Sequence, residues 1–149
     1  MDTKYINYKI EENILYVGFG KETKKSLTVL DQVTLEELGK IVEEITRIQN
    51  DLKGVIFHSL IKGCFLAGAD ISLIDGLTEE SEASEGAEKG QFLYNMIEDL
   101  TVPTICCVDG PCLGGGLELA MSCDTIICSD SPKTTLGLPE VKLGILPGF

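Results

Sequence analysis

Positive charge is scarce in this chain. Twelve lysine and arginine residues stand against 24 aspartate and glutamate residues, a formal charge of −12. That balance excludes the broad basic face through which a protein grips nucleic acid or an anionic membrane. Histidine is scarcer still, with His58 alone, so a zinc centre finds little support. No apolar run approaches the roughly 18 residues of a membrane span. The opening Met-Asp-Thr-Lys-Tyr lacks a basic-then-apolar pattern, so no secretory signal is expected. Cysteine, by contrast, is plentiful, with Cys64, Cys106, Cys107, Cys112, Cys123 and Cys128, yet no Cys-x-x-Cys occurs. Three of the six lie in or beside apolar runs, so buried reduced thiols are expected rather than a disulfide framework. Such thiols suit a bacterial cytoplasm or a mitochondrial matrix.

What is present is enough for one domain. The 149 residues are 44% hydrophobic, which allows a usable core. Tyr5–Lys9 and Ile14–Phe19 are β-rich runs separated by Glu11-Glu12-Asn13 and read as a hairpin. From Thr34 to Asn50, Leu35, Leu38, Ile41, Val42, Ile45 and Ile48 recur at helical spacing, with Thr34 and Glu37 placed as a capping box. Val55–Ser59 follows as a strand, and helix between strands predicts a parallel sheet. His58, in that strand, reads as structural. Residues Ile61–Asp70 read as a turn, with Asp70 capping a short helix through Ile74. Gly76–Glu88, rich in acids and small residues, reads as a mobile surface loop. A second amphipathic helix is expected from Ala87 to Leu100, and a further strand over Thr125–Cys128.

The chemistry concentrates in Val108-Asp-Gly-Pro-Cys-Leu-Gly-Gly-Gly-Leu-Glu-Leu-Ala-Met121, followed by Gly137-Leu-Pro-Glu140. Ile105–Val108 reads as a buried strand, Asp109-Gly110-Pro111 as a turn, and Gly114–Gly116 as the opening of a helix. A glycine-rich approach to a helix brings bare N–H groups close to an anionic atom. Glu118 falls in the first helical turn, where the dipole favours a carboxylate, and Glu140 supplies a second acid. The glycines end in neither the Lys-Ser/Thr of a P-loop nor a G-x-G-x-x-G, so nucleotide binding is not indicated. Close helix–strand packing is the purely structural alternative for the triple glycine.

Gly114–Met121, Gly137–Glu140 and Leu143-Gly-Ile-Leu-Pro-Gly-Phe149, with Phe65-Leu-Ala-Gly-Ala-Asp-Ile71 upstream, resemble the enoyl-CoA hydratase/isomerase (crotonase) superfamily. The motifs stand in the family's order and cover about residues 13–149. The separation of Glu118 from Glu140 is similar to that in the hydratase region of multifunctional fatty-acid β-oxidation α-subunits of the trifunctional type. The resemblance implies an α/β, crotonase-like ββα-superhelix whose fold continues past Phe149, residues 1–149 being its N-terminal part.

It implies hydration of a 2-enoyl-CoA to a 3-hydroxyacyl-CoA, with Glu118, Glu140 and the N–H groups of Gly115 and Ala69 as catalytic groups. Ala67, Gly68, Asp70, Gly114 and Lys25 are the expected CoA-binding positions, with Lys24 and Lys62 as further basic candidates. Against the family pattern, Ser26-Leu27-Thr28 stands where an Asn is usual. No cofactor is implied, NAD entering only if a dehydrogenase domain follows. The implied partners are an acyl-CoA substrate and either further copies of the chain or a thiolase subunit. The alternatives are a Δ3-Δ2-enoyl-CoA isomerase, which needs one carboxylate, and a non-catalytic assembly domain. Residues 1–149 are expected to expose apolar surface that later helices would cover, and so to self-associate or to show a disordered tail near Val141–Phe149, with weak or no hydratase activity.

Overall fold

The computed structural model describes residues 3–20, 28–69 and 80–148. Strands β1 (Ile6–Glu11) and β2 (Ile14–Phe19) pair antiparallel, Glu11 opposite Ile14. Glu12 and Asn13 make the two-residue turn with φ of 52° and 66°, the positive values that match a tight hairpin to the twist of its strands.

Helix α1 (Gln32–Ile48) begins ahead of the expected Thr34. Asp31 is its N-cap, accepting from the Thr34 N–H at 2.7 Å and from Thr34 Oγ1 at 2.7 Å. The expected Thr34/Glu37 capping box is therefore wrong. Asp is the stronger cap, and its position pushes Thr34 into the first turn. Glu37 instead accepts from the backbone N–H groups of Tyr5 at 2.8 Å and Ile6 at 3.1 Å, tying the helix to the start of β1. The apolar stripe of α1 behaves as its spacing predicts, with Leu38, Ile41, Val42 and Ile45 buried.

Strands β3 (Thr28–Leu30), β4 (Gly54–Ser59) and β5 (Leu66–Ala69) come next. Helix α2 (Glu80–Glu98), β6 (Thr104–Val108), β7 (Pro111–Leu113), α3 (Gly115–Met121), β8 (Thr125–Cys128) and β9 (Thr135–Gly137) complete the order. The main sheet runs β1-β2-β4-β6-β8, parallel from β2 onward. Each parallel step is made through a helix, the topology the strand–helix alternation predicts. Val17, Phe19, Val55, Phe57 and Cys106 are fully buried in its middle, at about 1.5–3 kcal/mol for each large side chain withdrawn from water. His58 is half-buried and stands edge-on to Tyr16 with ring centroids 6.3 Å apart.

Two expectations change. Residues 80–88 are the first half of α2 rather than part of a surface loop. Ser81, Ser84, Glu85, Gly86 and Glu88 are exposed, so this half carries no apolar stripe to read. The helix is anchored by its second half, where Leu93, Tyr94 and Ile97 are buried. The stretch read as a turn from Ile61 contains β5, whose backbone pairs in parallel with β3. The proposed cap at Asp70 and its short helix lie outside the described residues. At the far side, Ile127, Leu136, Val141 and Leu146 are exposed, Val141 at 78% and Leu146 at 85%.

Candidate active site

The site is built by two small parallel ribbons beside the main sheet. One is β3–β5, ending in Gly68 and Ala69. The other is β7–β9, in which Leu113 pairs with Gly137. Just beyond that pair, the Gly114 N–H donates to Gly137 O at 2.9 Å. The ribbon thereby delivers the Leu138-Pro139 bend, and with it Glu140, to the start of α3. Glu140 stands in a 3-10 turn, Pro139–Leu143, with proline in its first turn.

Gly114 has φ 53° and ψ −131°, a conformation essentially confined to glycine. Its carbonyl accepts from the Leu117 N–H at 2.8 Å and the Glu118 N–H at 3.0 Å, and so closes the first turn of α3. A Cβ on Gly114 would collide with Glu140 Oε1 and lie 3.7 Å from the Cα of Gly68. Gly68 is itself at φ 91°, and a Cβ there would come within 2.9 Å of Leu113 O. One step on, a Cβ on Gly116 would stand 2.5 Å from Leu66 O. The two glycine turns thus meet backbone to backbone, with the Glu140 carboxylate over their junction. The structural alternative for the triple glycine, close packing, is real as well: Gly116 serves it, while Gly114 makes room for an acid.

Glu140 Oε2 is buried and has no hydrogen-bond partner among the described residues. An unmet buried carboxylate oxygen is costly and calls for a proton, a water or a ligand. Glu118 is 6% exposed, in the first turn of α3. Facing that helix from α2, Tyr94 is buried, and its hydroxyl donates to Gly115 O at 2.8 Å. Burial pushes the Tyr94 phenol well above its usual value, and the negative charge of Glu118 adds to the rise. Tyr94 thus stays a neutral donor at ordinary pH.

The structure brings Gly68, Gly114, Gly115, Glu118 and Glu140 onto adjoining segments, with Ala67 and Ala69 on β5 beside them. Lys25 and Asp70 lie outside the described residues. Lys62 is exposed near Asp109, whose carboxyl is held below its usual range by the Gly63 N–H, by Ser129 and, more weakly, by Lys62. In the sequence, Tyr94 falls within the amphipathic helix expected from Ala87 to Leu100. Its one signal was a phenol at a buried position, since a buried tyrosine hydroxyl usually finds a partner.

A helix-covered parallel sheet with two glycine turns meeting beneath the Glu140 carboxylate defines a crotonase-fold protein. The chain belongs to the enoyl-CoA hydratase/isomerase family, whose sequence profile matches residues 9–149. It is similar to the fatty acid oxidation complex subunit alpha of Aliivibrio fischeri, 44% identical over 140 residues, covering 94% of this chain and 20% of that protein. The subunit of the same name from Idiomarina loihiensis is 48% identical over 126 residues, covering 83% of this chain and 17% of that one. The chain therefore spans about a fifth of the length of these curated relatives. Among solved structures, the enoyl-CoA hydratase of Bacillus anthracis superposes with a TM-score of 0.85 at 29% identity, covering 97% of this chain and 54% of that one. A protein from Geobacillus kaustophilus, described as an enoyl-CoA hydratase, gives 0.88 at 28% identity, covering 99% and 54%.

Proposed function

We propose that this chain is the hydratase region of a multifunctional fatty-acid β-oxidation α-subunit, adding water across the double bond of a 2-enoyl-CoA. The observation that carries the reading is the convergence of Gly68 and Gly114 beneath Glu140, whose Oε2 is buried without a partner. As the water oxygen bonds to the β-carbon, negative charge moves through the double bond onto the thioester oxygen. The N–H groups of Ala69 and Gly115, one residue past each of the two glycines, receive that charge. One such donor is worth about 3 kcal/mol of barrier. Glu118 holds the water and takes its proton, while Glu140 delivers a proton to the α-carbon.

On this reading Ala67, Gly68, Asp70, Gly114 and Lys25 contact the CoA portion, and no cofactor takes part in the step. With a chain this acidic, CoA phosphates depend on local lysines and backbone donors. A cytoplasmic or matrix setting fits the six free thiols. Assembly with further copies or with a thiolase subunit fits the exposed apolar residues beyond β8. The test is loss of the conjugated enoyl-thioester absorbance when the full protein meets crotonyl-CoA. No loss would reject the reading in favour of an assembly domain. Double-bond migration of a 3-enoyl-CoA without hydration would make it an isomerase.

A further inference from the structure

We propose that Tyr94 is a positioning residue for the Gly115 backbone donor, fixing the first residue of α3 so that its N–H stays aimed at the substrate oxygen. The proposal rests on the hydratase reading above and adds a residue to it. Gly114, Gly115 and Gly116 form a run with no side chain to anchor it, and glycine carries more backbone freedom than any other residue. A donor that stabilises developing charge must nevertheless be held in place before the reaction. Part of the restraint is the helix's own, the Gly114 carbonyl accepting from the Leu117 and Glu118 N–H groups, and the remaining restraints come from neighbouring elements.

Each glycine of the run receives one. The Gly114 N–H donates to Gly137 O at 2.9 Å. Gly116 is pressed against the backbone of Leu66, and its carbonyl accepts from Cys112 Sγ at 3.4 Å. Gly115 is held by Tyr94, whose hydroxyl reaches its carbonyl from α2 at 2.8 Å. The bond is shielded from water, Tyr94 being 5% exposed, so it is directional and undiluted by solvent. Phenylalanine would fill the same space. The Gly115 N–H shares its peptide with the Gly114 carbonyl, which the Leu117 and Glu118 N–H groups hold. What the Tyr94 hydroxyl adds is a fixed rotation of the next peptide, so that the donor residue is held on both sides. Glu118 follows on the same short helix, so Tyr94 sets donor and acid together.

The experiment compares Tyr94→Phe with wild type in the full protein, reading steady-state hydration and the absorbance of a bound aryl-enoyl-CoA. The absorption of that probe moves to longer wavelength as its carbonyl is polarised. Tyr94→Phe is expected to lower kcat about tenfold, the scale of one net hydrogen bond, with KM nearly unchanged and a smaller red shift. Ile97→Val, buried on the same helix but outside this hydrogen bond, serves as the packing control. It is expected to lower the melting temperature while leaving kcat and the red shift as they are. Wild-type kcat and red shift in Tyr94→Phe would overturn the proposal, even with reduced stability. A wild-type protein that shifts the probe but hydrates nothing would sink the hydratase reading instead, and the red shift alone would then judge Tyr94.

Discussion

The carboxylate of Glu140 occupies the space in which a side chain on Gly114 would begin. The two residues are far apart in sequence, and the missing side chain of Gly114 leaves the space that the acid takes. Gly114→Ala is expected to destabilise the fold by about 1–3 kcal/mol through its positive φ. It should also displace Glu140 and abolish hydration. Denaturant midpoints and turnover check both; an alanine variant of wild-type activity would show that Glu140 does not act from this position.

Replacing either acid by its amide separates chemistry from folding. Glu118→Gln and Glu140→Gln are each expected to lower kcat at least about 100-fold, as removal of a general acid or base does. Circular dichroism should stay unchanged, since each swap is nearly isosteric. Unaltered turnover in either variant would remove that residue from the mechanism. Hydration lost but isomerisation kept in Glu118→Gln would point to one-carboxylate chemistry.

Gly116 tests the packing half of the triple glycine. An added Cβ would stand 2.5 Å from Leu66 O and 2.6 Å from Leu66 Cβ, so backbone must move. Gly116→Ala is expected to cost about 1–3 kcal/mol by overpacking, measured by urea unfolding. Part of the activity should fall with it, because β5 carries Ala69, the proposed donor. A neutral effect would mean that α3 and β5 are not held at this distance.

Acid stability is expected to depend in part on Asp124. Asp124 accepts from the Thr104 N–H at 2.7 Å and Thr104 Oγ1 at 2.9 Å, which holds its carboxyl below the ordinary 3.8. A depressed folded value contributes stability that is present above the unfolded value and lost as pH falls through the folded one. Asp124→Asn is therefore expected to weaken the fold near neutrality and to flatten its decline below about pH 4. Denaturant midpoints taken along a pH series read the effect; parallel curves for variant and wild type would contradict it.

The thiols should divide sharply in reactivity. Cys128 is exposed, whereas Cys106 and Cys112 are buried. Burial pushes the Cys112 thiol up to about 12, and the Cys123 thiol together with burial raises Cys106 further. Alkylation at neutral pH is expected at Cys128 first, with Cys106 and Cys112 reacting only after unfolding, because the thiolate is the reactive form. Peptide mapping after timed iodoacetamide treatment reads the order. Early labelling of Cys106 would show that the sheet centre opens readily.

Local pattern determined a good deal by itself. The stripe Leu38-Ile41-Val42-Ile45 specified the buried face of α1, and the runs at Ile14–Phe19, Val55–Ser59 and Ile105–Val108 specified parallel strands of the main sheet. These were legible because periodicity and burial are set by near neighbours. The motifs around Gly114–Glu118 and Gly137–Glu140 were legible as a glycine-rich helix start and a turn carrying an acid. Other features depended on partners distant in sequence. The first half of α2 carries no periodic signal and is helical because its second half is packed. Asp31 displaced Thr34 as the cap, and Glu37 was turned to the first strand. The meeting of Gly68 with Gly114, the seating of Glu140 through the β7–β9 ribbon, and the bond from Tyr94 to Gly115 were decided only by tertiary structure. Each joins segments brought together by folding, and a hydrogen bond or a close backbone contact depends on distances of a few tenths of an ångström that no spacing along the chain encodes.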